Sequence, residues 1–414
     1  DASKGIEIRA VEGEEAELEL QGEDSQAETT TSATPAKPND QATTKEEREN
    51  WAKKLATYYA QILFYAFLTE SAVSSLSDII QTIEASEDNR RIAKHVGLKL
   101  SILRLLYQKS NIFSLRGLDY KIENLNSLMQ DSAISPMKRV EVAMAKFGRL
   151  SSSEVVTPQS VALEMINALE EDAVTSTTKI LDIASKQGEF TRAFISKYGT
   201  SVSENIYALP TSSVSYEFTR KVYTLLGLDT KHVVINFTTY DLLDPKHKDS
   251  LIQQLNNMNF DLVIGNPPYQ QADGGAAASA KPIYQEFVNI AKEVSTKYVS
   301  MIMPARWYTG GKGLDEFRKT MLSDKHIKLL YDYQRPDEVF PDTNNRGGLC
   351  FIIRDRHFDN TITLPKVISN RGGQGIISQS RPIKTDGLDM FIRHQEAISI
   401  LEKVTGCSSF ASLS

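Results

Sequence analysis

The stretch Asp261-Leu-Val-Ile-Gly-Asn-Pro-Pro-Tyr-Gln270 constrains this chain more than any other. Leu262–Ile264 is a short apolar run stopped by Gly265, the mark of a buried strand that ends in a turn. Pro267 and Pro268 fix φ and carry no N–H, so the backbone behind the strand stays extended with its carbonyls turned outward. Asn266 adds one donor and one acceptor. Such a cup suits a planar amine. The Asn266 side-chain oxygen and the Pro267 carbonyl each accept one proton of an –NH₂ group, and the Tyr269 ring lies against the ring that bears it. With both protons accepted, the amine lone pair stands out of plane, ready to attack.

Upstream, Thr157-Pro158 opens a helix that runs to about Leu169 and leads into a strand, Lys179–Ile183. The turn Ala184-Ser-Lys-Gln-Gly188 follows, and Glu189-Phe190 begins the next helix. A strand-to-helix turn closed by glycine is where an α/β protein lays a nucleotide-like ligand against helix N-terminal amides. A second strand, Asn205–Leu209, ends at Pro210-Thr211-Ser212. A helix over Tyr216–Leu226, a strand over Val233–Phe237 and the segment Tyr240-Asp-Leu-Leu-Asp244 come next.

Beyond the cup, Gln270–Ala280 is rich in glycine and alanine, a composition that predicts a mobile flap. The pattern then gives a helix over Pro282–Val294, a strand over Val299–Met303, and a loop carrying Arg306 and Lys312 among aromatics and glycines. A helix over Leu314–Leu322, a strand over Ile327–Tyr331, and an antiparallel edge strand over Gly347–Ile353 complete the pattern. Past Asp359 it weakens to strand fragments, a Gly372-Gly373 turn and one helix, Met390–Val404.

The first third of the chain differs in kind. Residues 1–49 hold 14 Asp/Glu and 5 Lys/Arg, so the chain's net −6 leaves the remainder at +3, mildly basic rather than acidic. Residues 1–45 read as an acidic tail and disordered linker, and 46–150 as an all-helical domain. In that domain Trp51, Tyr58, Tyr59 and Phe67 recur at core spacing, and a single helix is expected over Arg90–Lys109. The chain opens on Asp1 rather than Met and reads as a segment of a longer protein. No apolar run reaches membrane-spanning length, and two cysteines, Cys350 and Cys407, point to a reducing cytoplasm rather than a disulfide framework. The scattered histidines give no metal cluster.

Asn266-Pro267-Pro268-Tyr269 resembles the catalytic loop of the adenine-N6 amino-methyltransferases, which move a methyl group from S-adenosylmethionine to a base flipped out of DNA. The order of the remaining parts is similar to the methylase module of large single-chain bacterial restriction–modification enzymes, over about residues 140–365. The resemblance implies a Rossmann-like α/β methyltransferase sheet over 151–365, flanked by helices, with 366–414 beginning a target recognition domain. It implies cofactor contacts from Thr157, Asp182, Ala184, Gly188, Phe190, Pro210, Thr211, Asp241 and Asn266, with Glu217 as a second ribose candidate. Phe340 then packs on the flipped base opposite Tyr269, and Arg306 and Lys312 meet the DNA backbone. The implied partner is double-stranded DNA, with nuclease or other modules elsewhere in the parent protein.

The family's cofactor turn usually reads Asp-Pro-Ala-Cys-Gly-Ser-Gly; this chain departs from it at Ile183, Ser185, Lys186 and Gln187. A scaffold that has lost its cofactor, a protein glutamine methyltransferase and a cytosine-N4 methyltransferase remain alternatives to adenine methylation.

Overall fold

The computed structural model describes residues 45–147, 155–270, 281–311, 313–341 and 347–405. They divide into two units. The acidic tail, the linker, the glycine-rich flap and Lys312 lie outside the described residues. No helix among the described residues is long and apolar enough to cross a membrane.

The first unit is helical: Lys45–Leu68, Leu76–Ala85, Glu87–His95, Leu100–Lys109, Ile112–Gln130 and Pro136–Lys146, joined by Ser213–Leu226 from later in the chain. Ser75 and Ser86 cap two of these helices, each hydroxyl accepting from the backbone N–H three residues on. The aromatic stripe of the first helix is core: Phe64 and Phe67 pack against Phe147 and Phe218 at centroid separations of 5.1–5.9 Å. The single helix expected over Arg90–Lys109 is two, because Gly97 at φ +79° turns the chain out of helical geometry. Glu217, the second ribose candidate, is buried inside this unit. Its carboxylate accepts from Arg91 Nε at 2.9 Å and is bonded to His95 Nδ1 at 2.6 Å.

The second unit is built on one eight-stranded sheet: β1 Ile180–Ser185, β2 Ile206–Pro210, β3 Phe260–Gly265, β4 Ser295–Pro304, β5 Ile327–Tyr333, β6 Leu349–Asp355, β7 Lys366–Asn370 and β8 Ile376–Ser380, in the order β2-β1-β3-β4-β6-β5-β7-β8. The first four are parallel. Their apolar runs alternate between two cores: Leu181, Ile183, Val263 and Val299 enter one, while Ile180, Leu262, Ile264 and Ile302 enter the other. From β1 the chain crosses outward to β2; from β3 it crosses the other way to β4. The strand order therefore reverses between β1 and β3, and the crevice beyond their carboxyl ends is the topological switch point where open α/β sheets bind ligands.

Three expectations are corrected. Val233–Phe237 is no strand: Val233 makes one isolated parallel bridge to Ala208, Ile235 is 54% exposed, and β2 is the sheet edge. β6 is not an edge strand but lies between β4 and β5, antiparallel to both. Its unbroken apolar run fits that interior place, with Cys350 and Ile352 in one core and Leu349, Phe351 and Ile353 in the other. The sheet also does not stop at residue 365, since β7 pairs with β5 and β8 with β7.

Candidate active site

The turn after β1 and the loop after β3 meet at the switch point because the two strands are adjacent in register, Asp182 opposite Ile264. Gly265 sets how closely they approach. A Cβ built there would stand 2.9 Å from Ile183 Cγ2, so any side chain at 265 forces Ile183 or the strand itself to shift. Gly188, at φ +72°, turns the chain from β1 into the helix Glu189–Tyr198. Glu189 then folds back on the turn, and its Oε2 accepts from the backbone N–H groups of Lys186 (3.2 Å) and Gln187 (2.9 Å). Ser185 Oγ accepts from Gly188 N at 3.2 Å.

The buried polar groups here are numerous for so small a volume. Asp182, Lys186, Gln187, Glu189 and Asn266 are all nearly inaccessible. Burial, together with the Glu189 carboxylate, pushes the Asp182 carboxyl well above its ordinary value. Asp182 Oδ1 accepts from Ala184 N at 3.2 Å, while Asp182 Oδ2 and Glu189 Oε1 have no partner. Lys186 Nζ donates to the Asn266 carbonyl at 2.6 Å and to the Ala184 carbonyl at 3.4 Å. Asn266 Nδ2 donates to the Val155 carbonyl at 3.2 Å, and Asn266 Oδ1 is left with no partner. Buried acceptors are ordinarily satisfied, so a group of unpartnered ones at these strand ends marks a candidate site for a ligand that carries hydrogen-bond donors.

The other singled-out residues fall into place around this centre. Thr157 is buried with its hydroxyl unpartnered. Ala184 and Phe190 are fully buried, Ala184 at the end of β1 and Phe190 in the helix behind the turn. At the end of β2, next to Pro210, Thr211 N donates to the Ser185 carbonyl at 3.1 Å, tying that strand end to the turn after β1. Thr239, which the sequence reading passed over, plugs the same end: its fully buried hydroxyl lies 2.8 Å from the Ile183 carbonyl it donates to. Asp241 is exposed and holds its own turn, accepting from Thr238 N at 2.7 Å and Thr238 Oγ1 at 2.9 Å.

Tyr269 packs against both apolar cores and meets Tyr284 edge to face at 6.4 Å. Both hydroxyls lack partners, and burial raises both phenol pKa values. Phe340 is buried in a core that Tyr269 also touches. Arg306 is exposed on the 3-10 turn Ala305–Tyr308 after β4. Cys350 donates no reactive thiolate: burial lifts its thiol to about 12, and Trp307 Nε1 sits 3.4 Å from its sulfur.

Two cavities lie elsewhere, along β5 and β7. One of about 400 Å³ is lined by Tyr298, Lys328, Tyr331 and Ile368, the other of about 200 Å³ by Ser160, Tyr333, Arg335 and Glu338. They share Glu164, whose carboxylate already accepts from the hydroxyls of Tyr331 and Tyr333. With that acid satisfied, neither cavity matches the crevice at β1 and β3 as a chemical site.

Residues 204–340 match the model of the Eco57I restriction-modification methylase family. The chain is 31% identical over 127 residues to an uncharacterized adenine-specific methylase of Mycoplasma pneumoniae, a match covering 30% of each protein, so it spans under a third of that relative. It is similar in structure to the methyltransferase subunit of a type I restriction-modification system from Streptococcus thermophilus, at 14% identity and a TM-score of 0.51 over 86% of this chain and 75% of that one. The chain thus shares the fold of a restriction-modification methyltransferase subunit, and its β2-to-Phe340 segment is similar to the Eco57I methylases.

Proposed function

We propose that this chain is the methylase part of a restriction–modification protein and transfers a methyl group from S-adenosylmethionine to the N6 amine of adenine in double-stranded DNA. The observation that carries this reading is the unpartnered Asn266 Oδ1, held beside a proline carbonyl at the carboxyl end of β3 and next to the β1 turn. The likeness to an adenine-specific methylase supports adenine over a protein glutamine or cytosine N4.

When bound, S-adenosylmethionine supplies the activated methyl group. The residues present fit it: Asp182 Oδ2, Glu189 Oε1 and Thr157 Oγ1 are buried, unpartnered polar atoms that the cofactor's amino and hydroxyl groups would satisfy. Asp182, Gly188 and the strand-end Pro210 and Thr211 form its cradle, with Ala184 and Phe190 behind. Asp241 would have to release a Thr238 contact to reach an adenine amine. Asn266 Oδ1 and the Pro267 carbonyl accept the two protons of the target amine, Pro268 stiffens the loop, and Tyr269 and Phe340 stack on the base. Rotating that base out of the duplex costs a few kcal/mol, which the stacking and hydrogen bonds offset. The rate comes chiefly from holding the amine in line with the methyl group. Arg306 and Lys312 contact the DNA backbone.

The test is Asn266→Ala with labelled cofactor and unmethylated DNA. Transfer falls at least about 100-fold, the scale of losing one preorganised polar contact, while calorimetric cofactor binding stays near that of the wild type. Transfer within tenfold of wild type would remove Asn266 from the reaction. Absence of any cofactor heat at millimolar ligand would favour a scaffold without catalysis.

A further inference from the structure

Lys186 is the group in this site that the reaction does not require. It is 2% exposed, and its ammonium donates to two backbone carbonyls, one at the end of each strand flanking the crevice, while its charge acts on the buried Asp182 carboxyl. Burying an ammonium is costly. A methionine would fill the same space without that cost. Besides its charge beside Asp182, the return is geometric. A charge-assisted hydrogen bond is stronger than a neutral one, and the shorter of the two falls on the carbonyl of Asn266 itself. Asn266 is thereby gripped at both ends, its carbonyl by Lys186 and its amide nitrogen by the Val155 carbonyl. Of its two side-chain polar atoms, the acceptor Oδ1 is the one left with no partner. Pro267 follows, so no N–H next in the chain competes for that oxygen.

We propose that Lys186 is a positioning residue: by clamping the Asn266 carbonyl, its ammonium fixes the orientation in which Asn266 Oδ1 receives the target amine. This rests on the methyltransferase reading above. Lys186 touches neither base nor methyl group and acts only through Asn266. The enzymes that the turn resembles carry glycine at this place, so the clamp belongs to this chain's own sequence and not to the shared pattern.

The test compares wild type with Lys186→Met, which keeps the stem and loses the charge, and Lys186→Gln, which keeps a shorter donor. The measurements are kcat and KM on unmethylated bacteriophage DNA, calorimetric Kd for S-adenosylhomocysteine, and thermal melting. K186M should lower kcat at least tenfold, with KM and Kd within threefold, and K186Q should recover part of the rate. An unchanged kcat would overturn the clamp. So would K186M binding S-adenosylhomocysteine tenfold tighter, since the lysine would then be a competitor for the cofactor's place. If neither variant folds, Lys186 is structural and the clamp is refuted. A wild-type protein that neither binds S-adenosylhomocysteine nor transfers methyl would sink the methyltransferase reading itself, an outcome separate from all of these.

Discussion

Gly265→Ala links strand packing to chemistry. The new methyl carbon would sit 2.9 Å from Ile183 Cγ2, whereas carbon atoms rest at about 3.5–4.0 Å, so roughly 1 Å must be found. Ile183 cannot readily yield: it is fully buried among close-packed neighbours, and its branch at Cβ restricts χ1. The strain passes into the β1–β3 pairing and costs about 1–3 kcal/mol, the usual penalty for overpacking. Opening the strands by that amount also displaces Asn266 from the β1 turn, and a misplacement of about 1 Å costs on the order of 100-fold in rate. Urea unfolding measures the first loss and single-turnover methyl transfer the second. Ile183→Ala removes the opposing methyl, so in G265A/I183A the stability losses should fall short of additive by about 1 kcal/mol or more. Stability within about 0.5 kcal/mol of wild type, with transfer unchanged, would refute the claim that this glycine sets the strand approach.

Other outcomes follow from the same contacts. Because burial and Glu189 raise the Asp182 carboxyl, the folded chain binds that proton more tightly than the unfolded one. Wild type should therefore lose stability relative to Asp182→Asn as pH climbs from the ordinary carboxylate value through the raised one; parallel pH–stability curves would contradict this. Arg393 Nε lies 2.9 Å from Asp332 Oδ2, and Asp332 is fully buried, so Arg393→Met should cost about 3–5 kcal/mol in urea unfolding, with D332N/R393M recovering part of it. Arg306→Ala should weaken DNA binding and lower its salt slope by about one, leaving cofactor Kd unchanged; an unaltered slope would take Arg306 off the backbone.

The local parts of the site were legible because they are written in contiguous residues. Two prolines after an apolar run specify a stiff cup, and Gly188 before Glu189-Phe190 specifies a strand-to-helix turn. What the pattern could not carry was partnership. A run of apolar residues says that a strand is buried but not between which neighbours, so β6 was expected at an edge. Val233–Phe237 has strand composition, yet with Ile235 facing solvent it finds one bridge only. Lys186 read as a lost glycine, because its role depends on a carbonyl 80 residues away that only the β1–β3 pairing brings near. The same holds for Val155 and Asn266, separated by 111 residues. One signal was available and passed over: Gly97 sits where the Arg90–Lys109 pattern needed a helix interior.

Nucleoside analysis of unmethylated DNA after incubation with the protein and methyl-labelled S-adenosylmethionine addresses the role of Asn266 directly. Label should appear in N6-methyladenine with wild type and disappear with Asn266→Ala. Label in protein, in a cytosine, or equally in adenine with both proteins would contradict the assignment of Asn266 as the acceptor of the adenine amine.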